Sequence, residues 1–244
     1  MNRNDNLRYL LGRLPSAHDP RTLRLRTFLT APLPPPPPTD RHDTKITDWG
    51  VMGNDVLGNC VIVTAAHAIM AWYSAARGIT DKIPDAKVIS LSHDWHAEHG
   101  YSILDRNKRW HATGMLSNKL HAYTLIDPKN TILARQVCHT FGAVDIGLGM
   151  PAAWTNATIW DTGAGPSYRP YTWGGHSVPI VGYDQNYFYV ATWGRTQKLT
   201  PAAYARYCDE AYAWIDPAWL DATGKTPGQL DMAALDAALE TLTT

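Results

Sequence analysis

The stretch GNDVLGNCVIVTAAHA, residues 53–68, decides the fold, because it places Cys60 where a glycine-containing turn meets an apolar, alanine-rich run. Apolar residues continue at helical spacing to about Arg77, and Gly78 is a residue type that ends helices, so the pattern predicts a buried helix over 60–77. The unpaired amides and the dipole of a helix N-terminus lower the pKa of a cysteine there. Cys60 is therefore a candidate nucleophile, although a free cysteine is also a common core residue.

Length and composition limit the classes of protein to which this chain can belong. The chain has 244 residues, with 22 basic and 22 acidic side chains, and a formal net charge of zero. It is long enough for one principal domain, and its overall charge gives no reason to expect nucleic acid or a membrane surface as a partner. Three cysteines do not make a disulfide framework and favour a reducing compartment. Without a signal peptide or a long apolar run, we expect a cytoplasmic or virion-associated protein.

The N-terminal part differs from the rest of the chain. Residues 1–30 carry six arginines against two aspartates, and their leucines fall at helical spacing, which predicts short helical pieces that dock on a surface. The unbroken run Pro34–Pro38 predicts an extended spacer. We therefore expect residues 1–45 to form a basic, proline-rich arm and linker, which docks on its own chain or on an assembly partner, and residues 46–244 to form the domain.

The rest of the domain alternates between helices and strands. Residues 81–114 predict an exposed polar helix or loop. His93, His96 and His99 recur there every three residues, but neither an HExxH motif nor a cysteine pair accompanies them, so we expect no metal and no cofactor. Further predictions are a strand over 121–126, Asp127–Pro128 as the start of a helix that includes 131–140, a strand over 143–148, an aromatic loop over 150–173, a hairpin over 174–192, a strand over 210–215 and a last helix from Asp231.

Two histidines are candidates for the partner of Cys60. His67 lies two helical turns after Cys60, about 10.5 Å along the axis, which is too far for a hydrogen bond. His176 follows Gly174 and Gly175 at the beginning of a predicted strand, and the hairpin that this strand opens ends at Trp193–Gly194. The distance therefore makes His67 a core histidine or one that only supports the site, and His176 stays a candidate partner.

These residues together resemble the papain-like cysteine peptidases. The resemblance covers about residues 49–193 and depends on Cys60 at a helix start, Asn54 six positions before it, and His176 on a strand of a hairpin. It implies an α+β fold, in which an N-terminal helical half with a central cysteine-bearing helix packs on a C-terminal half of antiparallel sheet. It also implies that Cys60 attacks an acyl carbon, that His176 exchanges the proton and that Asn54 helps to bind the oxyanion.

The chain departs from the family pattern at three places. The family usually has glutamine where Asn54 stands and tryptophan where Val61 follows the cysteine. The asparagine that usually orients the histidine is missing, and the spacing puts either Ala191 or Thr192 in its place. Only Thr192 has a polar side chain, and Asp161 and Asp184 are further candidates. The bacterial branch that processes bacteriocin leaders is somewhat more similar, which favours a bacterial or phage protein.

The resemblance leaves three hypotheses for the function. The first is a thiol hydrolase that cleaves a peptide or isopeptide bond in a peptide or protein substrate through Cys60 and His176, with Asn54 and Thr192 in support. The second is an inactive papain-like protein with a structural role in an assembly such as a virion, docked through residues 1–45. The third is an acyl transferase that uses the same two residues.

Overall fold

The computed structural model describes residues 9–17, 19–22, 24–25 and 32–219. The helices of this part are α1 (Cys60–Arg77), α2 (Asp85–Asp94), α3 (Ile103–Thr113), α4 (Thr131–Phe141) and α5 (Pro201–Tyr207). The strands are β1 (Asp40–Arg41), β2 (Ala122–Leu125), β3 (Val144–Met150), β4 (Ile159–Trp160), β5 (Gly174–Tyr183), β6 (Phe188–Thr192), β7 (Arg195–Leu199) and β8 (Cys208–Ile215). The predicted helix from Asp231 lies outside the described residues.

Helix α1 is the central helix of the fold, and its bounds are those that the sequence predicts. It is apolar on nearly all sides, as expected of a helix buried in a core. Gly78 ends it with φ 68°, and its N–H donates to Ser74 O. The helix packs against β5, β6 and the turn Pro217–Trp219, so that the first residue of α1 lies between the helices and the sheet.

The strands form one sheet in the order β2-β8-β3-β5-β6-β7-β4, with β1 paired to β5. All pairs among these strands are antiparallel except that of β4 with β7. One face of β5 contributes Val178 and Ile180 to the cluster that includes α4, and the other contributes Val181 to the cluster around α1. The sheet therefore lies between these two helices, and the predicted α+β, papain-like architecture is confirmed.

Residues 81–114 are less exposed than their polarity suggests. They form α2 and α3, and Arg106 on α3 is buried in an ion pair with Asp145 of β3. The Nη1 group of Arg106 also donates to Val61 O at 3.1 Å. The prediction of an exposed element was wrong at α3, because this buried ion pair joins α3 to both α1 and the sheet.

The helix start predicted at Asp127–Pro128 was also wrong. Helix α4 begins at Thr131, and Asn130 is its N-cap, with Oδ1 accepting a hydrogen bond from Leu133 N at 2.9 Å. Asp127 instead accepts from Lys129 N in the preceding turn. Asparagine caps the helix because its short side chain reaches the unpaired amides of the first turn.

Residues before the predicted boundary at 45/46 contact the body of the domain. Strand β1 pairs with Gly182 and Tyr183 of β5, and Leu33 is buried beside α4. Gln136 of α4 donates to Leu33 O at 3.1 Å and to Pro34 O at 3.2 Å. The boundary itself stays a prediction. Among the described residues, no helix has the length and apolar character needed to cross a membrane.

Candidate active site

Cys60 is the first residue of α1, and its side chain is buried. The preceding Asn59 does not cap the helix, because its amide donates to Met52 O and to Ser92 Oγ, each at 3.0 Å. These two bonds fix the turn that presents the cysteine. Burial raises the pKa of the Cys60 thiol, and the backbone N–H groups of Ser177 and Gly12 oppose the shift. The lowered pKa expected from the helix start was therefore wrong for this state, because loss of solvent outweighs the helix dipole.

His176 lies on β5, and its ring is fixed on one side. Its Nε2 is 2.9 Å from Thr192 Oγ1, and the indole of Trp193 stacks on the ring with centroids 4.5 Å apart and planes at 16°. The other nitrogen, Nδ1, is buried and has no hydrogen-bond partner among the described residues. Burial, followed by the charge of Arg13, lowers the pKa of His176 to about 3. The ring is therefore neutral at neutral pH.

Thr192 is the residue that the structure brings to His176. It is the last residue of β6, and Ala191 beside it belongs to the apolar cluster around α1. The other two candidates bond elsewhere: Asp184 accepts from Tyr189 Oη at 2.6 Å, and Asp161 from Thr200 Oγ1 at 2.7 Å. A hydroxyl at this place accepts the Nε2 proton of a neutral imidazole and leaves Nδ1 available as a base.

Asn54 lies in the turn before α1 and is buried. Its Nδ2 donates to Leu57 O at 3.1 Å and makes a longer contact of 3.4 Å to Leu10 O. The second acceptor belongs to the N-terminal arm. An amide donor that already holds a carbonyl oxygen is suited to hold the oxyanion formed from one.

Residues 9–14, here called the arm segment, cross the site in an extended conformation. Arg13 N donates to Gly175 O at 3.1 Å on one side, while Tyr101 N donates to Gly12 O at 2.8 Å on the other. Leu14 N donates to Tyr101 O at 3.1 Å, and the ring of Tyr9 stacks on Trp193 with centroids 4.4 Å apart. The helical pieces predicted for this stretch were wrong between residues 9 and 14, because hydrogen bonds to both walls of a cleft favour extended backbone.

The contact of Gly12 with the turn before α1 has no room for a side chain. A Cβ atom at position 12 would lie 1.6 Å from Gly58 O and 2.3 Å from Gly58 C. The backbone of Gly12 also lowers the pKa of the Cys60 thiol. The arm segment therefore covers the turn before the candidate nucleophile, and glycine is the one residue type that fits at this position.

Three residues of this arrangement escaped the sequence analysis: Gly12, Arg13 and Glu210, which binds Arg13 from a position 197 residues away. Only Gly147 and Gly149, within a strand that is apolar apart from Asp145, signal that another group approaches closely. His67 is buried, with Nε2 at 3.0 Å from Trp49 O, and it lies apart from this cleft contact. Within the described ranges, no group of three or more histidine, cysteine or acidic side chains is placed to hold a metal ion.

The fold is that of solved papain-like cysteine proteases. Xylellain, a cysteine protease from Xylella fastidiosa, aligns with a TM-score of 0.60 at 14% identity, over 85% of this chain and 96% of its own. Digestive procathepsin L2 from the larval midgut of Tenebrio molitor aligns with a TM-score of 0.58 at 13% identity, over 88% and 81%. Procathepsin B S9 from Trypanosoma congolense gives 0.54 at 13%, over 86% and 87%.

By sequence, no family model and no curated protein matches the chain. At identities this low, the structural likeness establishes the fold and not the activity. The resemblance predicted from Cys60 and His176 is confirmed at the level of the fold.

Proposed function

We propose that this protein is a papain-like thiol hydrolase that cleaves a peptide or isopeptide bond, with Cys60 as nucleophile and His176 as the general base and acid. The environment of His176 carries this proposal. Thr192 and Trp193 hold the ring, while the buried Nδ1 lacks a partner among the described residues. Because Thr192 holds Nε2, Nδ1 is the ring nitrogen left to exchange a proton, and no hydrogen bond joins it to the Cys60 thiol in this closed state.

The thiol is close to the same strand. The backbone of Ser177, the residue after His176, lowers the pKa of the Cys60 thiol against the effect of burial. The two reacting side chains thus belong to neighbouring positions on α1 and β5, which pack together. A rigid helix and a rigid strand are suitable supports for a pair that must stay aligned during proton transfer.

In the proposed reaction, Nε2 of His176 keeps its proton and donates it to Thr192, while Nδ1 takes the proton of the Cys60 thiol. The thiolate attacks the acyl carbon, and Asn54 Nδ2 and the Cys60 backbone N–H stabilise the oxyanion. His176 then passes the proton to the leaving amine. Water attacks the thioester in the second step, which releases the acid and regenerates the thiol.

The arm segment lies across the candidate catalytic residues. The thiol and the imidazole are buried in this state, and the loss of solvent favours the neutral form of both. Substrate has to take the place of residues 9–14, so we infer that the full-length chain is latent and that turnover follows displacement of the arm segment.

Peptide hydrolysis tests the proposal directly. A mixture of unstructured peptides and ε-linked lysine peptides is incubated with the full-length chain carrying Gly12→Val, which does not fit under Gly58. We expect cleavage products by mass spectrometry, no products when Cys60→Ala is added, and unchanged products with Cys138→Ala, a matched change at another buried cysteine. Absence of products from the first variant would contradict the proposal.

Two alternatives have distinct outcomes in the same experiment. An acyl transferase gives an amide with an added amine acceptor in place of the free acid. A structural protein that docks on a partner through residues 1–45 gives no turnover with either variant.

A further inference from the structure

The side chain of Arg13 enters a buried, acidic pocket beside the candidate nucleophile. Its Nη1 lies 2.9 Å from Glu210 Oε2 and its Nη2 lies 2.8 Å from Asp209 Oδ1, while Tyr171 Oη bonds both to Nη2 and to Asp209. The Arg13 side chain is fully buried and that of Glu210 is 2% exposed. Gly147, Tyr171, Asp209 and Glu210 are here called the arginine pocket.

The wall of the pocket is shaped to admit a long side chain. A Cβ atom at Gly147, in the middle of the buried strand β3, would lie 2.5 Å from Arg13 Nη1 and 2.9 Å from Cζ. At Gly149, the same atom would lie 2.7 Å from the ring of Tyr171. Glycine weakens the interior of a strand because it has no side chain to pack. Two glycines in seven residues therefore indicate that β3 leaves space for the side chains of Arg13 and Tyr171.

The chemistry of the pocket selects a guanidinium group. Two carboxylates and a phenol hydroxyl surround the end of the side chain, and the planar, forked donors of arginine suit several acceptors at once. Burial raises the pKa of the Glu210 carboxyl while Arg13 opposes this shift, so the guanidinium favours the charged form of the acid with which it pairs. The second buried acid on the same wall, Asp145, is paired with Arg106. Asp145 thus has its own partner, and a guanidinium in place of Arg13 would pair with Glu210 and Asp209.

The backbone places the pocket in register with the nucleophile. Gly12 lies against Gly58 in the turn that leads to Cys60, and the next residue, Arg13, donates its own N–H to Gly175 O beside His176. A chain bound in place of the arm segment, with one residue against Cys60, presents a neighbouring side chain to the arginine pocket.

We propose that the arginine pocket is a specificity site for an arginine side chain of the substrate, and that Arg13 occupies it while the arm segment is docked. This inference rests on the proposed function, because it assumes that the protein has a peptide substrate. The contacts that define the pocket are independent of it, because they involve neither Cys60 nor His176.

Binding to the vacated pocket is the first part of the test. The full-length chain with Arg13→Ala is titrated with Nα-acetyl-arginine methylamide and with the citrulline analogue, which has the same shape and no charge. We expect the arginine compound to raise the melting temperature and to bind at least about tenfold more tightly, since hydrogen bonds to a charged group typically give that much. Equal effects of the two compounds would overturn the proposal.

Selectivity in a reaction at Cys60 is the second part. Peptidyl chloromethyl ketones carry a single arginine, scanned over the three positions on the acyl side of the reactive group, or citrulline at the same positions. With the Arg13→Ala chain, we expect one position at which arginine labels Cys60 at least about tenfold faster, measured by intact mass. Adding Glu210→Gln is expected to remove the preference, and Asp55→Asn, an exposed acid in the turn before α1, to keep it.

The outcomes separate the two proposals. Selective binding of the arginine compound without hydrolysis of any peptide contradicts the proposed function and supports the pocket. Hydrolysis or labelling without preference for arginine overturns the pocket and supports the proposed function. If Glu210→Gln does not fold, Asp209→Asn at the partly exposed acid is expected to reduce the preference, and an unchanged preference there counts against the pocket.

Discussion

Replacing Gly12 by valine is expected to undock the arm segment and expose Cys60. A Cβ at this position would lie 1.6 Å from Gly58 O, and the obstacle is backbone, which cannot rotate away as a side chain does. Overpacking typically costs 1–3 kcal/mol. Three backbone hydrogen bonds hold residues 12–14 on Gly175 and Tyr101, and at about 1 kcal/mol each they contribute about 3 kcal/mol. The clash is thus comparable with these three hydrogen bonds, while the ion pairs of Arg13 and the stacking of Tyr9 still favour docking.

The effect on reactivity follows from the undocked population. A destabilisation of about 2 kcal/mol raises the undocked fraction about thirtyfold, and the labelling rate of a thiol that reacts only when uncovered rises by the same factor. The assay is the pseudo-first-order reaction with iodoacetamide at pH 7.5, followed by peptide mapping of Cys60, Cys138 and Cys208. All three cysteines are buried, so the latter two report on global opening.

The control and the refuting result are both defined by the structure. Ala17→Val adds the same branched carbons to an exposed position of the same arm and is expected to leave the Cys60 rate unchanged. An unchanged Cys60 rate with Gly12→Val would refute docking of the arm segment over the thiol. A parallel rise at Cys138 and Cys208 would show unfolding of the domain instead.

Three further predictions concern the residues around this site. In the Gly12→Val background, Thr192→Val is expected to lower peptide hydrolysis about tenfold by releasing His176 Nε2, and Thr192→Asn to restore it, measured as initial rates. The pKa of His176 is lowered to about 3 in the folded chain. Between about pH 6.5 and pH 3 the unfolded chain therefore binds a proton at this histidine that the folded chain does not, and the free energy of unfolding falls as pH falls. Between pH 7 and 5, the free energy of unfolding of His176→Gln is therefore expected to fall by about 2 kcal/mol less than that of the wild type. Asp145, whose pKa is raised to about 7, contributes in the opposite direction, but it does so in both proteins and cancels in their difference. Arg106→Met is expected to cost about 3–5 kcal/mol in urea unfolding by leaving Asp145 unpaired, and Arg106→Met with Asp145→Leu to cost less.

The sequence was sufficient for the central helix because local rules define it. An apolar run after a glycine-containing turn and a left-handed Gly78 fix both ends of α1 without any distant contact. The same local logic located the strand of His176. The place of Thr192 could not be counted from the sequence, because the pairing of β5 with β6 shifts register between Ile180 and Gly182, and a bulge moves every later residue relative to its partner.

The arm segment and the arginine pocket depend on contacts between distant parts of the chain. Leucines at helical spacing in residues 7–14 suggested helix, yet the free energy of this stretch is set by hydrogen bonds to Tyr101 and Gly175 and by the buried charge of Arg13. No local pattern records that Glu210 is the partner of Arg13. Tertiary contacts of this kind override weak propensities in short segments.

The way in which the arm segment is held indicates what replaces it. Tyr9 stacks on Trp193, Leu10 O meets Asn54, and Gly12 lies against Gly58 just before Cys60, so successive residues contact successive parts of one cleft. The walls offer backbone groups, Gly175 O on one side and the N–H and C=O of Tyr101 on the other, which only a chain with regularly spaced amides can satisfy together. A small acyl compound leaves most of these groups unpaired, whereas an extended polypeptide pairs them all. We therefore expect peptides of at least six residues to compete most strongly with the arm segment for the cleft, and single amino-acid esters to compete weakly.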